Sequence, residues 1–181
     1  MGSEKDEAFY DEVYSKDYNV AMYDYVYLEV IELIKYYKIG SVLDVGCGLG
    51  RLAELIDQQI QYVNYFGFDF SKTAIEYATQ KYSELCCVFY EGNVYDKKSY
   101  DYAHDAVIFV EVLEHVDDIK ALNNVTSGKW VIASLPTFDS EGHVRTYPNI
   151  KCIIERFESV IDIMLLKKLD KNIFLLAGKK W

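Results

Sequence analysis

Apolar residues recur along the chain in two alternating ways, as stripes with a period of three to four and as short near-continuous runs, and the alternation predicts the elements. Residues 20–37 place Tyr23, Val26, Tyr27, Val30, Ile31 and Ile34 on one stripe, a helix that Gly40 stops. A first strand ends at Val45, and Leu52, Leu55, Ile56 and Ile60 then mark a helix. A second strand over 62–69 leads to a helix over 72–82, with Ser71 as N-cap and Ala74, Ile75 and Ala78 facing inward, and then to a third strand over 86–90. Residues 105–110 form the apolar run of a central parallel strand covered on both faces. That run leads into residues 111–118, a stretch that gathers its acids on one face if it begins as helix, and a helix to about residue 125 follows. A fifth strand over 129–135, a loop over 137–148 and a helix over 149–158 follow, and two strands, 160–169 and 173–179, close as a hairpin on Asp170-Lys171-Asn172. Five strand–helix units and a hairpin predict one α/β domain over residues 20–181. Ahead of it, residues 1–19 are acidic, with Tyr10, Tyr14 and Tyr18 at helical spacing and the first few residues expected to be disordered.

The sharpest chemical signal is Val42-Leu43-Asp44-Val45-Gly46-Cys47-Gly48-Leu49-Gly50, a strand running into three alternate glycines ahead of a helix. Such a turn adopts backbone angles that side chains resist, and it lets a ligand reach the main chain and the free N–H groups of the helix. Spacing narrows the choice of ligand. A dinucleotide fingerprint is G-x-G-x-x-G, whereas Arg51 stands here at the place of the last glycine, and the Gly-Lys-Ser/Thr of a phosphate loop is absent. Asp44 beside the turn suits a cation better than a phosphate.

These nine residues resemble the first motif of class I S-adenosylmethionine-dependent methyltransferases, and the resemblance covers about residues 40–181. It implies a Rossmann-like, doubly wound, seven-stranded sheet with helices on both faces, strands one to five being parallel and the C-terminal hairpin antiparallel. It also implies S-adenosyl-L-methionine as methyl donor and S-adenosyl-L-homocysteine as product, held at Asp44, Gly46, Cys47, Gly48 and Gly50. Residues 1–19 then have two uses, a flexible lead or a lid over the cofactor of the kind N-terminal helices form in such proteins.

Asp69 ends the second strand 23 positions after Gly46, where an α/β nucleotide fold offers a carboxylate to both ribose hydroxyls. Phe68 or Phe70 is placed to flank the adenine. Relatives usually carry Gly-Asp after the third strand, and this chain has Gly92-Asn93. The amide oxygen of Asn93 still accepts from the adenine amino group, without the charge, and the backbone N–H of Val94 meets a ring nitrogen.

If residues 111–115 begin a helix, Glu111, Glu114 and His115 lie three and four apart and face one way; in the plainest use Glu111 orients the amino group of the cofactor and His115 packs beneath the site. His115, or His143 from the loop after strand five, is a candidate general base. Alternatively Glu111, Glu114, His115 and His143 hold one divalent metal that polarises an acceptor hydroxyl. The run Glu-Val-Leu-Glu-His-Val is similar to that of ubiquinone-type O-methyltransferases and of small-RNA 3′-end methyltransferases, in which a Glu-x-x-Glu-His cluster is associated with a metal, and equally to metal-free small-molecule enzymes. The metal-free use is preferred. Arg145, the cation of the same loop, is a candidate anchor for a substrate phosphate or carboxylate, with a salt bridge to Asp139 or Glu141 as the alternative. His104, at the opposite end of the sheet, is expected on the surface.

A net charge of −10 argues against a nucleic-acid partner, since phosphate contacts need a basic surface. Acids crowd residues 1–40 and bases residues 147–181, which reads as solvated surface. No apolar stretch reaches membrane-spanning length and the acidic N-terminus lacks a signal-peptide pattern, so a cytoplasmic location is expected. The four cysteines show no metal or redox spacing and are expected as buried reduced thiols. The favoured function is methyl transfer to oxygen or nitrogen of a small polar metabolite, such as a sugar or a phosphorylated intermediate. Its rivals are a metal-dependent O-methyltransferase of a phenol or an RNA 3′ end, and a non-catalytic cofactor-binding subunit of a complex.

Overall fold

The computed structural model describes residues 2–16, 19–60 and 62–181; Tyr18 of the N-terminal tyrosine set lies outside them. Helices α1 (Glu7–Ser15) and α2 (Asp24–Tyr36) precede β1 (Ser41–Val45), α3 (Arg51–Gln59), β2 (Asn64–Asp69), α4 (Lys72–Lys81) and β3 (Cys87–Glu91). After a 3-10 turn over Lys97–Tyr100 come β4 (Ala106–Phe109), α5 (Asp118–Leu122), β5 (Trp130–Pro136), α6 (Ile150–Phe157), β6 (Ile161–Lys168) and β7 (Ile173–Lys180). The seven strands lie in the order β3-β2-β1-β4-β5-β7-β6, the first five parallel and β7 antiparallel to both its neighbours. Strand order therefore reverses between β1 and β4, and a crevice opens beyond their carboxyl ends.

Alternation within the strands builds a core on each face. Val42, Ala106, Ile108 and Ile132 meet the stripes of α2 and α3, including Val26, Val30, Ile31, Ile34, Leu52 and Ile56. Leu43, Val107, Phe109, Val131 and Ala133 face the other way, onto Leu122, Ile153 and Phe157. Each buried aliphatic side chain stabilises the fold by roughly 1.5–3 kcal/mol, so both layers hold the sheet ends in register. No described helix is long and apolar enough to cross a membrane.

Four expectations are corrected. Residues 111–115 do not begin a helix, because Glu111 takes a left-handed φ of 57° and the chain turns until Asp117 caps α5 by accepting from the N–H of Lys120. The first long helix starts at Asp24 rather than at residue 20: Asn19 accepts from Ala21 and Met22 N–H groups, a turn that competes with helix. His104 is buried, its Nδ1–H donating to the Tyr102 carbonyl at 2.6 Å. Of the cysteines only Cys47 is buried, and Cys86, just ahead of the edge strand β3, is exposed.

Candidate active site

β1 delivers the chain into Gly46 and Gly48, with φ of 68° and 52°, at the carboxyl edge of the sheet. A Cβ on Gly46 would come within 2.7 Å of Val112 Cγ2, and one on Gly48 within 3.1 Å of the Tyr14 hydroxyl. Both places therefore need glycine for backbone angle and for space. Asp69 locks this turn to the next unit, one carboxylate oxygen accepting from the Gly48 N–H and the other from the Ser71 N–H, each at 2.9 Å.

A cavity of about 390 Å³ opens over these elements. Its floor is formed by Val45 and Gly46, by Phe68, Asp69 and Phe70, by Gly92 to Tyr95, and by Glu111, Val112 and His115. Its other wall is the N-terminal segment, with Glu4, Lys5, Asp6, Glu7, Tyr10 and Tyr14. That segment is tied down along its length: Gly2 N–H donates to the His143 carbonyl, Glu4 accepts from the Tyr95 hydroxyl and the Asp117 N–H, and Asp11 accepts from Ser71 Oγ at 2.5 Å. A smaller cavity of about 50 Å³ lies beside the glycine turn, lined among others by Cys47, Gly48, Tyr23 and Glu111.

Most sequence-named residues gather here. Gly46, Asp69, Phe70, Asn93, Val94, Glu111 and His115 line the large cavity, while Cys47 and Gly48 line the small one. Asn93 Oδ1 already accepts from the Tyr95 N–H at 2.9 Å, and the Phe70 ring meets Tyr10 edge-on. Gly50 caps α3 and faces the Tyr82 and Phe89 rings. Asp44 sits beneath the turn, buried, accepting from the Tyr65 hydroxyl at 2.6 Å. Arg145 is paired with Asp118, not with Asp139 or Glu141.

Burial sets the electrostatics. It pushes the Asp44 carboxyl up to about 7 and that of Asp69 to about 6, and it raises Glu111 and, further, Glu114. Folded Asp44 keeps its proton where the unfolded chain has lost it, so its contribution to stability is complete below pH 3.8 and disappears as pH rises through 7. The Asp44→Asn protein is thus expected to gain stability relative to the parent between pH 4 and 7, by up to about 1.4 kcal/mol per pH unit, measured by urea unfolding across that range.

His115 and His143 stand ring edge to face at 4.9 Å. His115 Nδ1–H donates to the Gly142 carbonyl at 3.1 Å and His143 Nδ1–H to the Phe138 carbonyl at 3.2 Å, since a carbonyl only accepts. Each ring consequently carries its lone pair on Nε2. One ligand atom from each of Glu114, His115 and His143 lies within 4.8 Å of the others, and Glu111 is not part of that group. Burial holds His115 down to about 4 and lowers His143 as well.

Sequence reasoning missed three contributors. Glu4 lies in a segment with no periodicity; Ser134, a polar residue in an apolar strand, and Asp118, buried at the start of a short helix, each left only that faint mark.

Residues 42–127 match the family model described as a methyltransferase domain. The matched segment makes up just under half of the 181 residues. It contains the glycine turn, Asp69, Asn93, Glu111 and His115, and it ends before Ser134, His143 and Arg145. Among solved structures, "PigF with SAH" superposes with a TM-score of 0.75 at 15% identity over 95% of this chain, which spans 62% of the PigF chain. The PH0226 protein of Pyrococcus horikoshii OT3 gives 0.71 at 15% identity, covering 93% of both chains. The N-methyltransferase NodS of Bradyrhizobium japonicum WM9, solved with S-adenosyl-L-homocysteine, gives 0.69 at 13% identity over 97% of this chain and 99% of its own. Comparison with curated proteins gives no match.

Proposed function

We propose that the protein transfers a methyl group from S-adenosyl-L-methionine to an oxygen or nitrogen of a small polar acceptor in the cytoplasm. The observation that carries this is the single cavity in which the glycine turn, Asp69, Asn93 and Glu111 meet His115. Asp69 faces the ribose hydroxyls, Phe70 and the Asn93–Val94 backbone take the adenine, and Glu111 takes the cationic amino group of the methionine part. The N-terminal helix α1 acts as the lid.

The sulfonium methyl is already activated by its charge, so the chain has to align the acceptor in line with it and accept the departing proton. The electron pair of the breaking S–C bond returns to sulfur, leaving the thioether. His115 and His143 present the lone pairs that can take the proton. A neutral hydroxyl-bearing acceptor such as a sugar suits the walls better than a phosphorylated one: Arg145 is engaged by Asp118, and the lysine among the described cavity residues, Lys5, pairs with Glu141.

A second reading is favoured by one observation. Glu114 is wholly buried, its carboxyl lies against that of Glu111 and takes no other hydrogen bond among the described residues, and His115 Nε2 is 3.9 Å away. Two imidazoles with fixed tautomers and one buried carboxylate fit a divalent transition metal, and a histidine held near 4 stays neutral, as a ligand must. Glu114, His115 and His143 would hold the ion, which would polarise the acceptor hydroxyl and ease loss of its proton.

Calorimetry with S-adenosyl-L-homocysteine is expected to give a saturable heat; folded protein that gives none refutes the donor assignment. In a methyl-transfer assay, a chelator that leaves turnover unchanged removes the metal reading, and a loss restored by added Mn²⁺ or Zn²⁺ establishes it.

A further inference from the structure

Glu111 stands in the wall common to the two cavities, on a left-handed backbone that residues with a Cβ avoid. Tyr23, the N-cap residue of α2, and Ser134 hydrogen-bond its carboxyl, and the Glu114 carboxyl lies against it. Ser134 is fully buried in β5, between Ala133 and Leu135 in a strand that is otherwise apolar. Its hydroxyl accepts from the Glu111 N–H at 2.8 Å and donates to Glu111 Oε1 at 3.0 Å. One hydroxyl thus spends its lone pair and its proton on the same residue, closing a ring through the backbone and the carboxyl of Glu111. An alanine would fill the strand position equally well, so the polar atom is there for Glu111.

We propose that Ser134 is a positioning residue for the methyl donor, fixing the turn and the carboxylate of Glu111 so that the latter meets the amino group of the donor's methionine part. This rests on the role given to Glu111 above. The hydroxyl acts on one end of the ligand only: Asp69 and Phe70, assigned to adenosine, stand at the carboxyl end of β2, which β1 and β4 separate from the β5 that carries Ser134.

The test compares two ligands by calorimetry, S-adenosyl-L-homocysteine and 5′-methylthioadenosine, which has the adenosine and the thioether but no amino acid. Ser134→Ala is expected to weaken the first by about tenfold, the scale of one charge-assisted hydrogen bond, and to leave the second within about twofold. Binding of methylthioadenosine doubles as the check that the variant is folded; if the alanine protein fails to fold, the near-isosteric Ser134→Cys takes its place in the same comparison. Glu111→Gln is measured beside it and is expected to show the same selective loss. Equal weakening of both ligands in the Ser134 variant marks a merely structural role and overturns the proposal, as does unchanged binding of S-adenosyl-L-homocysteine. If Glu111→Gln binds that ligand as the parent does, the role of Glu111 is wrong and the proposal falls with it. A parent protein that binds neither ligand instead overturns the methyl-donor assignment, and with it both.

Discussion

Asp118→Ala is expected to lower stability by about 3–5 kcal/mol, read as a fall in the urea midpoint followed by tryptophan fluorescence. The carboxylate is wholly buried, yet Arg156 grips it through Nε and Nη2, Arg145 pairs with it through Nη1, and the Tyr147 hydroxyl donates to it at 3.0 Å. Removing it leaves two guanidinium groups facing each other without that acceptor and the Tyr147 hydroxyl with the Leu113 carbonyl at 3.3 Å in its place, which is the expensive way to break such a pair. Arg156→Ala should cost much less, because its side chain is 43% exposed and Asp118 keeps Arg145 and Tyr147. A loss below about 1 kcal/mol for Asp118→Ala would show that the cluster is dispensable. The effect reaches the site through the chain that Asp118 anchors: Val144 and Arg145 N–H groups donate to the Glu114 carbonyl, which seats His143 beside Glu114.

His115→Ala and His143→Ala are each expected to lower kcat by about 10²–10⁴ with little change in affinity for S-adenosyl-L-homocysteine. Loss of donor binding in equal measure would instead make the pair structural. The two rings share one small region, so the double variant should fall little further than the worse single one. The pH profile gives an independent check. Because burial holds His115 near 4 rather than at the usual 6.5, the group stays unprotonated down to that range, and kcat/KM should not decline between pH 8 and 6 on its account. An acid limb centred near 6.5 would show a solvated imidazole at the reacting end.

The sheet was legible because its signal is local. The run 105–110, the hairpin residues around Asp170-Lys171-Asn172 and the stripe through Ile34 each carry their period within a few neighbours, and β4, β7 and α2 appear where that period falls. The glycine turn was legible for the same reason. Residues 111–115 were not, since helical spacing is satisfied by Glu111, Glu114 and His115 even though a distant hydroxyl on β5 fixes Glu111 in a turn. The burial of His104 and the partner of Arg145 were unreadable for a like reason: whether a polar side chain meets water or a buried partner is decided by elements far away in sequence, such as the Asp118 that pairs with Arg145. Loop residues reach the site through tertiary packing, which no periodicity records.

β7 lies between β5 and β6, although it is made after both. In a released chain that ends at the turn near residue 170, β5 offers a bare row of backbone donors and acceptors and β6 has no neighbour to pair with. A truncated or clipped chain that stops short of Ile173 is consequently adhesive along that edge and prone to recruit a strand from another molecule, so premature termination here should yield aggregates rather than a less stable monomer.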